Sequence, residues 1–549
     1  MVGFNEDGQN VYESKRLDHL GLVSGMIEEL GLVDVVDGAL GGDQPSKLNP
    51  GMCLKAMIIN GLGFTSRPLY LSASFFETKA VEQLLGPGIL ASDITDQRLG
   101  EFLESCYEYG CTKLFSQIAW EVFRRCELSG QERFVHLDTT SVSVQGEYEY
   151  GTDALNITFG YSKDHRPDLK QFMISLMVEP QHGIPWLFKA LDGNTSDKAH
   201  FQQVIGELAR EAQDQPGRLY LVADSALYTE AGLREIDSVY WLTRVPHTHA
   251  LAKRVIRSYS RQDMGPEDEK GYAWRELAIS HLGVHQRWLV VWSRQAYQRE
   301  KQTLRRAWQK ERQRADNQLR TLSRQEFHCE ADAQKALDKL TRKWKYHLPV
   351  EVSFTTRNVT GKRGRPKKEN PPAEQRFRVH AQPQTNPQAL REALEPLGKF
   401  ILATNELDQQ ALPAPEILSH YKDQNQVEKG FRFLKSPLCM AESVFLKKPK
   451  RIVALAMVMC LALMVYAMAE RKLRLALKEQ GQTIPDQKGR PYQKPTMRWV
   501  FQCFEGIEIL YIRHGTAETQ RICLNVNPLH QKILRLMGPT FQKIYLDTS

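Results

Sequence analysis

The chain has 549 residues, several times an average domain, so two to four domains with substantial cores are expected. Charged residues make up 25% and apolar ones 42%, the balance of an ordinary soluble globular protein, and the formal net charge of +8 is gathered into basic clusters that invite a polyanionic partner. The nine cysteines contain no CxxC pair, the nearest approach being Cys106 with Cys111, which argues against a disulfide framework or a zinc site and for reduced thiols. The opening MVGFNEDGQNVYESKR has no apolar run, so no signal peptide is expected and the cytoplasm is the expected compartment.

From Asp18 to about Ser129, stretches such as LGLVSGMIEELGLVDVVDGALGG alternate helical periodicity with Gly and Pro punctuation. That predicts a helical N-terminal domain over 1–130. A DNA-reading helix and plain scaffolding are both open for it.

After Gln131 the pattern turns to strands. RFVHLDTTSVSV places one acid, Asp138, in a run of β-branched residues, where a carboxylate survives only if paired, exposed at a sheet edge or bound to metal. KQFMISLMVE, the turn PQHG and IPWLFKAL read as a hairpin, and KAHFQQVIGELAREAQ as an amphipathic helix. RLYLVADSA is a strand ending at Asp224, followed by a short helix around TEAGLREI and the strand VYWLTRVP. This order predicts a mixed α/β sheet of the RNase H-like kind, its first part over 131–246.

An insertion over 247–397 then interrupts the core. Strand-like RELAIS and RWLVVWS lead into a charged helix on which Leu304, Trp308, Ala315, Leu319 and Leu322 recur at helical spacing, its charged face most simply solvated. The loop VTGKRGRPKKENPPAEQ follows. The core resumes over 398–475 with KFILATNEL and a helix starting near Pro415, leaving a helical C-terminal region over 476–549. Within the resumed core, Ile452 to Ala469 is 18 uncharged residues flanked by basic ones on both sides. A helix buried on all sides is expected there, a membrane anchor being the alternative.

Asp138, Asp224 and Glu428 stand out as three acids that two strand ends and a helix can bring together. Such a cluster repels itself unless divalent cations neutralise it. Tyr421, Glu428 and Lys435 are spaced by seven and so share one helical face, which on its own reads as a solvated face; Phe431 and Phe433 beside it suggest partial burial.

These residues together resemble a DDE transposase of bacterial insertion sequences, of the branch marked by a Y(2)R(3)E(6)K signature. HLDTTSV around Asp138 is similar to its first acidic motif and LVADSALY around Asp224 to its second; Tyr421, Gln424, Glu428 and Lys435 match the signature spacing, with Gln424 where the family usually has Arg. YSKDHRPDLKQF and DGNTSD, at Tyr161 and Asp192, are also similar to segments of such transposases. The resemblance, from about Leu17 to Met468, implies an RNase H-like core in which Asp138, Asp224 and Glu428 hold two magnesium ions, with manganese as a substitute. It further implies that Tyr421 and Lys435 grip DNA near the cleaved end, assisted at Gln424. Gln lacks the cation, and Arg432, one turn beyond Glu428, is placed to supply it. The RGRP centre of GKRGRPKK resembles an AT-hook, which makes Lys362, Arg363, Arg365, Lys367 and Lys368 expected minor-groove or backbone contacts. The implied protein binds its element's inverted repeats and target DNA as a homodimer in the synaptic complex, away from membranes and near the nucleoid. An inactive DNA-binding regulator sharing the fold is the alternative.

Overall fold

The computed structural model describes residues 10–41, 47–63, 71–126, 132–144, 148, 155–160, 166–179, 183–195, 218–235, 239–359, 374–423, 446, 448–514 and 517–546. The chain forms two units, one of Met1–Thr243, Leu282–Val284 and Asp408–Ser549, the other of Arg244–His281 and His285–Leu407.

In the first unit, β1 (Asn10–Arg16) precedes a run of helices whose ends obey local chemistry. Asn49 caps the helix Pro50–Gly61 by accepting from the N–H of Met52 at 2.8 Å, and Thr95 caps Asp96–Tyr109 by accepting from that of Arg98 at 3.2 Å. Helix Leu20–Leu30 stops at Gly31, whose φ of 67° is left-handed and cheap only for glycine.

The β-branched and aromatic runs form β2 (Glu132–Val144), β3 (Lys170–Glu179), β4 (Ile184–Leu191), β5 (Arg218–Ala223) and β6 (Tyr240–Arg244), in the order β4-β3-β2-β5-β6. The pairs β2/β3 and β3/β4 are antiparallel, as the hairpin signal required, while β2/β5 and β5/β6 are parallel. The amphipathic helix expected over KAHFQQVIGELAREAQ lies outside the described residues. One sheet face carries Val142, Phe172, Ile174, Leu176 and Phe188, which join a continuous core with helix Cys111–Arg125 and helix Pro449–Glu479. The latter contains the apolar stretch Ile452 to Ala469. It is apolar all round, and its most apolar window is 94% buried, as a helix enclosed by protein must be.

The C-terminal region differs from the all-helical expectation. EILYIRH carries Ile509, Tyr511 and Ile512, residue types that favour extended backbone, and forms a strand, Glu508–His514, between β1 and the strand Ala517–Leu524. Tyr545 fastens the two termini again: its hydroxyl donates to the carbonyl of Asp18 at 2.6 Å and accepts from the N–H of Leu22 at 3.2 Å. Both ends of the chain therefore build one body.

DGNTSD has a structural task. Asp192 Oδ1 accepts from the N–H of Asn156 at 2.8 Å, the N–H of Gly193 donates to the carbonyl of Asn156 at 3.0 Å, and Gln171 Nε2 donates to the carbonyl of Gly193 at 2.8 Å. These bonds press 155–160 against β3. A Cβ on Gly193 would collide with the Gln171 carbonyl and sit 2.7 Å from that of Thr158, backbone that cannot swing aside. Gly193→Ala is expected to destabilise this unit by about 2–3 kcal/mol, read as a lowered urea midpoint; a wild-type midpoint would mean that 155–160 can move away freely.

In the second unit, β7 (Tyr272–His281), β8 (Val284–Ser293) and β11 (Lys399–Thr404) are neighbours in the order β11-β8-β7. The charged segment is a helix of 29 residues, Arg294–Leu322, with Ala315, Leu319 and Leu322 buried. These pack with Ala333, Leu337 and Val379 against an antiparallel ribbon of β9 (His347–Val359) and β10 (Glu374–Thr385). This unit also includes β11, which the sequence pattern assigned to the resumed core.

Candidate active site

Strand pairing brings the first two acids together. Leu137 of β2 is the register partner of Ala223 of β5, and the next residue on each strand is Asp138 and Asp224. Parallel neighbours lie about 4.8 Å apart and point to the same face, so the two carboxylates form one row. Both are half-buried.

Local bonds fix each one. Asp138 Oδ1 accepts from the N–H of Thr139 at 2.7 Å. Asp224 Oδ1 accepts from the N–H of Ala226 at 2.8 Å, an Asx turn that ends β5, while Thr243 on β6 donates its hydroxyl to the Asp224 carbonyl at 2.7 Å. Turn and hydroxyl together stop the strand end from fraying.

The rows beneath the acids explain their setting. Two residues back are His136 and Val222, and two further back Phe134 and Tyr220, whose rings stack at 4.6 Å with Tyr240 continuing the stack at 5.2 Å. His136 is fully buried, and neither ring nitrogen has a hydrogen-bond partner among the described residues. Burial, with His420 as a lesser cause, pushes His136 down to about 3, so it stays neutral.

His420 reaches this face from the helical residues 414–423, the start of the helix expected near Pro415. Its ring lies on Phe134 at 3.4 Å, nearly coplanar, and burial holds it at about 4. Ile417 and Leu418 on the same helix are buried too. The helix of residues 414–423 is thus seated on the sheet face that bears Asp138 and Asp224. Sequence reading missed His136 and His420, which alone look like core histidines; the available signal was the alternation Phe134, His136, Asp138 on one side of a strand.

Tyr421 is half-buried beside His420. Gln424, Glu428, Arg432 and Lys435 lie outside the described residues, as do Tyr161 and the basic residues Lys362, Arg363, Arg365, Lys367 and Lys368. The basic loop connects the strands that close with the pair Val359 and Glu374. Among the described residues no group of three His, Cys, Asp or Glu is arranged to hold a metal. The donor chemistry of the Asp138 and Asp224 row, two carboxylates side by side, fits a hard divalent cation that takes oxygen ligands.

A family model described as a domain of unknown function (DUF4277) matches residues 12–120, and a Transposase DDE domain model matches residues 129–465. No curated protein matches the chain. Among solved structures, a piggyBac transposase synaptic complex with hairpin DNA aligns over 90% of this chain and 82% of that one at 8% identity and a TM-score of 0.36. The Mos1 strand transfer complex aligns over 38% and 60% at 14% identity and a TM-score of 0.15. Those scores are below the level at which a shared fold follows. The family match, by contrast, takes in well over half of the sequence, including Asp138, Asp224 and Glu428, and the chain belongs to the transposase DDE domain family.

Proposed function

We propose that this DDE transposase binds the terminal inverted repeats of its element, cuts the DNA to free a 3′ hydroxyl and joins that end to target DNA. The observation that carries the reading is the row formed by Asp138 and Asp224 where parallel β2 and β5 leave register. The order β4-β3-β2-β5-β6, three antiparallel strands and then two parallel ones, supports an RNase H-like core split by an insertion over 247–397.

Asp138, Asp224 and Glu428 would hold two magnesium ions, which supply activation of the attacking oxygen and neutralisation of the leaving one. The protein's own residues hold the carboxylates in place and align the DNA, since the transfer proceeds without a covalent enzyme intermediate. Eight helical residues rise about 12 Å and four strand residues span about 13 Å. Were the helix of His420 continued along β2, Glu428 would come from the level of Phe134 to that of Asp138. The same continuation puts Tyr421 and Lys435 on one face with Glu428, where they grip the cleaved end, with Gln424 and Arg432 assisting. Synapsis of two ends makes a homodimer the working form. The test is incubation of the protein with duplexes carrying its element's ends and magnesium, products mapped at nucleotide resolution; nicks at the element boundary support the reading, and intact DNA in every condition overturns it.

The loop Gly361 to Lys368 joins the ribbon strands β9 and β10, which suits a DNA contact by Lys362, Arg363, Arg365, Lys367 and Lys368. Replacing Arg363, Arg365, Lys367 and Lys368 by Ala is expected to weaken duplex binding and flatten its salt dependence, by roughly one counterion for each phosphate that the loop no longer neutralises. An unchanged slope would reduce the loop to a linker.

A further inference from the structure

The helix Arg294–Leu322 carries three acids, and the fold turns each of them away from one face. Glu300 accepts from the N–H of Gly398 at 2.7 Å. Glu311 accepts from the N–H groups of Lys345 at 3.0 Å and Tyr346 at 2.7 Å and meets His347 Nδ1 at 3.0 Å. Asp316 pairs with Arg312 one turn away at 3.3 Å. A merely solvated helix face interleaves both signs in pairs three or four residues apart. Among the described residues of this helix only Arg312 and Asp316 pair so.

At 100° per residue, Arg299, Arg306, Lys310, Arg314 and Arg320 project within an arc of about 120° opposite the buried Ala315 and Leu319. All five are exposed, and none makes an ion pair among the described residues. Gln302, Gln313 and Asn317 share the arc, so every long side chain on it can donate a hydrogen bond, and no acid lies there. From Arg299 to Arg320 the stripe extends about 32 Å, close to the roughly 34 Å of one duplex turn.

We infer that this stripe is a sequence-independent track for the phosphate backbone of duplex DNA, separate from the catalytic carboxylates and from the basic loop. The choice of DNA as the polyanion rests on the transposase reading; the stripe itself rests on the geometry. Arginine forks and amide donors suit phosphate oxygens, and a stripe that follows one duplex turn suits the backbone. The track lengthens the footprint beyond the sequence that specifies the element's end.

The experiment compares two full-length variants. One carries Arg299→Gln, Arg306→Gln, Lys310→Gln, Arg314→Gln and Arg320→Gln; the other carries Lys301→Gln and Arg305→Gln, exposed cations of the same helix that point off the stripe. Affinity for an unrelated duplex of several turns is measured across a salt series. The stripe variant should lower the slope of log affinity against log salt by about four, from five phosphates at roughly 0.9 each, and the off-stripe variant by less than about one. At saturating end-bearing duplex and magnesium, the stripe variant should cleave at the wild-type rate. An unchanged slope, or the same loss per charge in both variants, overturns the inference, as does loss confined to single-stranded RNA. If the unmodified protein never cleaves DNA, the proposed function fails while the slopes still decide the stripe.

Discussion

Asp138→Asn is expected to remove DNA cleavage while leaving the fold and end binding intact. The amide is nearly isosteric, and its oxygen can still accept from the Thr139 N–H that Asp138 Oδ1 now takes at 2.7 Å. Register with Leu176 on β3 holds the backbone on the other side. What disappears is one carboxylate of the proposed cation-holding set. Losing about 4 kcal/mol of charge stabilisation slows single-turnover cleavage by roughly 10³. Asp224→Asn should match it, because the amide oxygen can also keep the turn bond to Ala226. Asp224→Ala loses that bond as well and should cost about 1 kcal/mol of stability on top. The Asn double variant should be scarcely slower than either single one, since the two carboxylates act as a unit. Full cleavage by either Asn variant, or cleavage indifferent to a chelator, would remove these residues from the mechanism.

The two acids were legible because a strand made of β-branched residues advertises itself, and a carboxylate within one demands an explanation. Their adjacency was legible only through the expected order of strands; the pairing of Leu137 with Ala223 is a fact of the fold. Local sequence could not announce that β1 pairs with Glu508–His514, since partners almost 500 residues apart leave no mark on each other's periodicity. The same holds for Phe134 and His420, which meet although nearly 300 residues apart in the sequence. The charged helix misled in a different way. Its composition looks mixed, and although spacing sets the acids off the arc, the bonds of Glu300 and Glu311 to backbone N–H groups are a fact of the fold.

Glu428→Gln and Lys435→Ala should fail in opposite ways, because the helix seated by His420 on Phe134 is proposed to carry chemistry and grip on one face. Glu428→Gln removes a negative charge near DNA, so end binding should hold or tighten while cleavage falls by roughly 10³. On the proposed continuation of that helix, Lys435 stands seven residues on, about 10 Å along the axis. Too far to share a cation with Glu428, it can reach a phosphate beside the cleaved end. Lys435→Ala should lower affinity for the cleaved-end complex about tenfold, the loss of one hydrogen bond to a charged group, and flatten the salt slope by about one. Raising magnesium should not restore it, since what is missing is a bond to phosphate and not to metal. Tyr421→Phe isolates the hydroxyl, keeping the ring beside His420 for packing or base stacking. The measurements are end-binding affinity and single-turnover cleavage for each variant at several magnesium concentrations. Normal binding and cleavage by both Glu428→Gln and Lys435→Ala would make this a solvated face. The third carboxylate would then have to come from elsewhere in the sequence, with Glu442 next to be replaced.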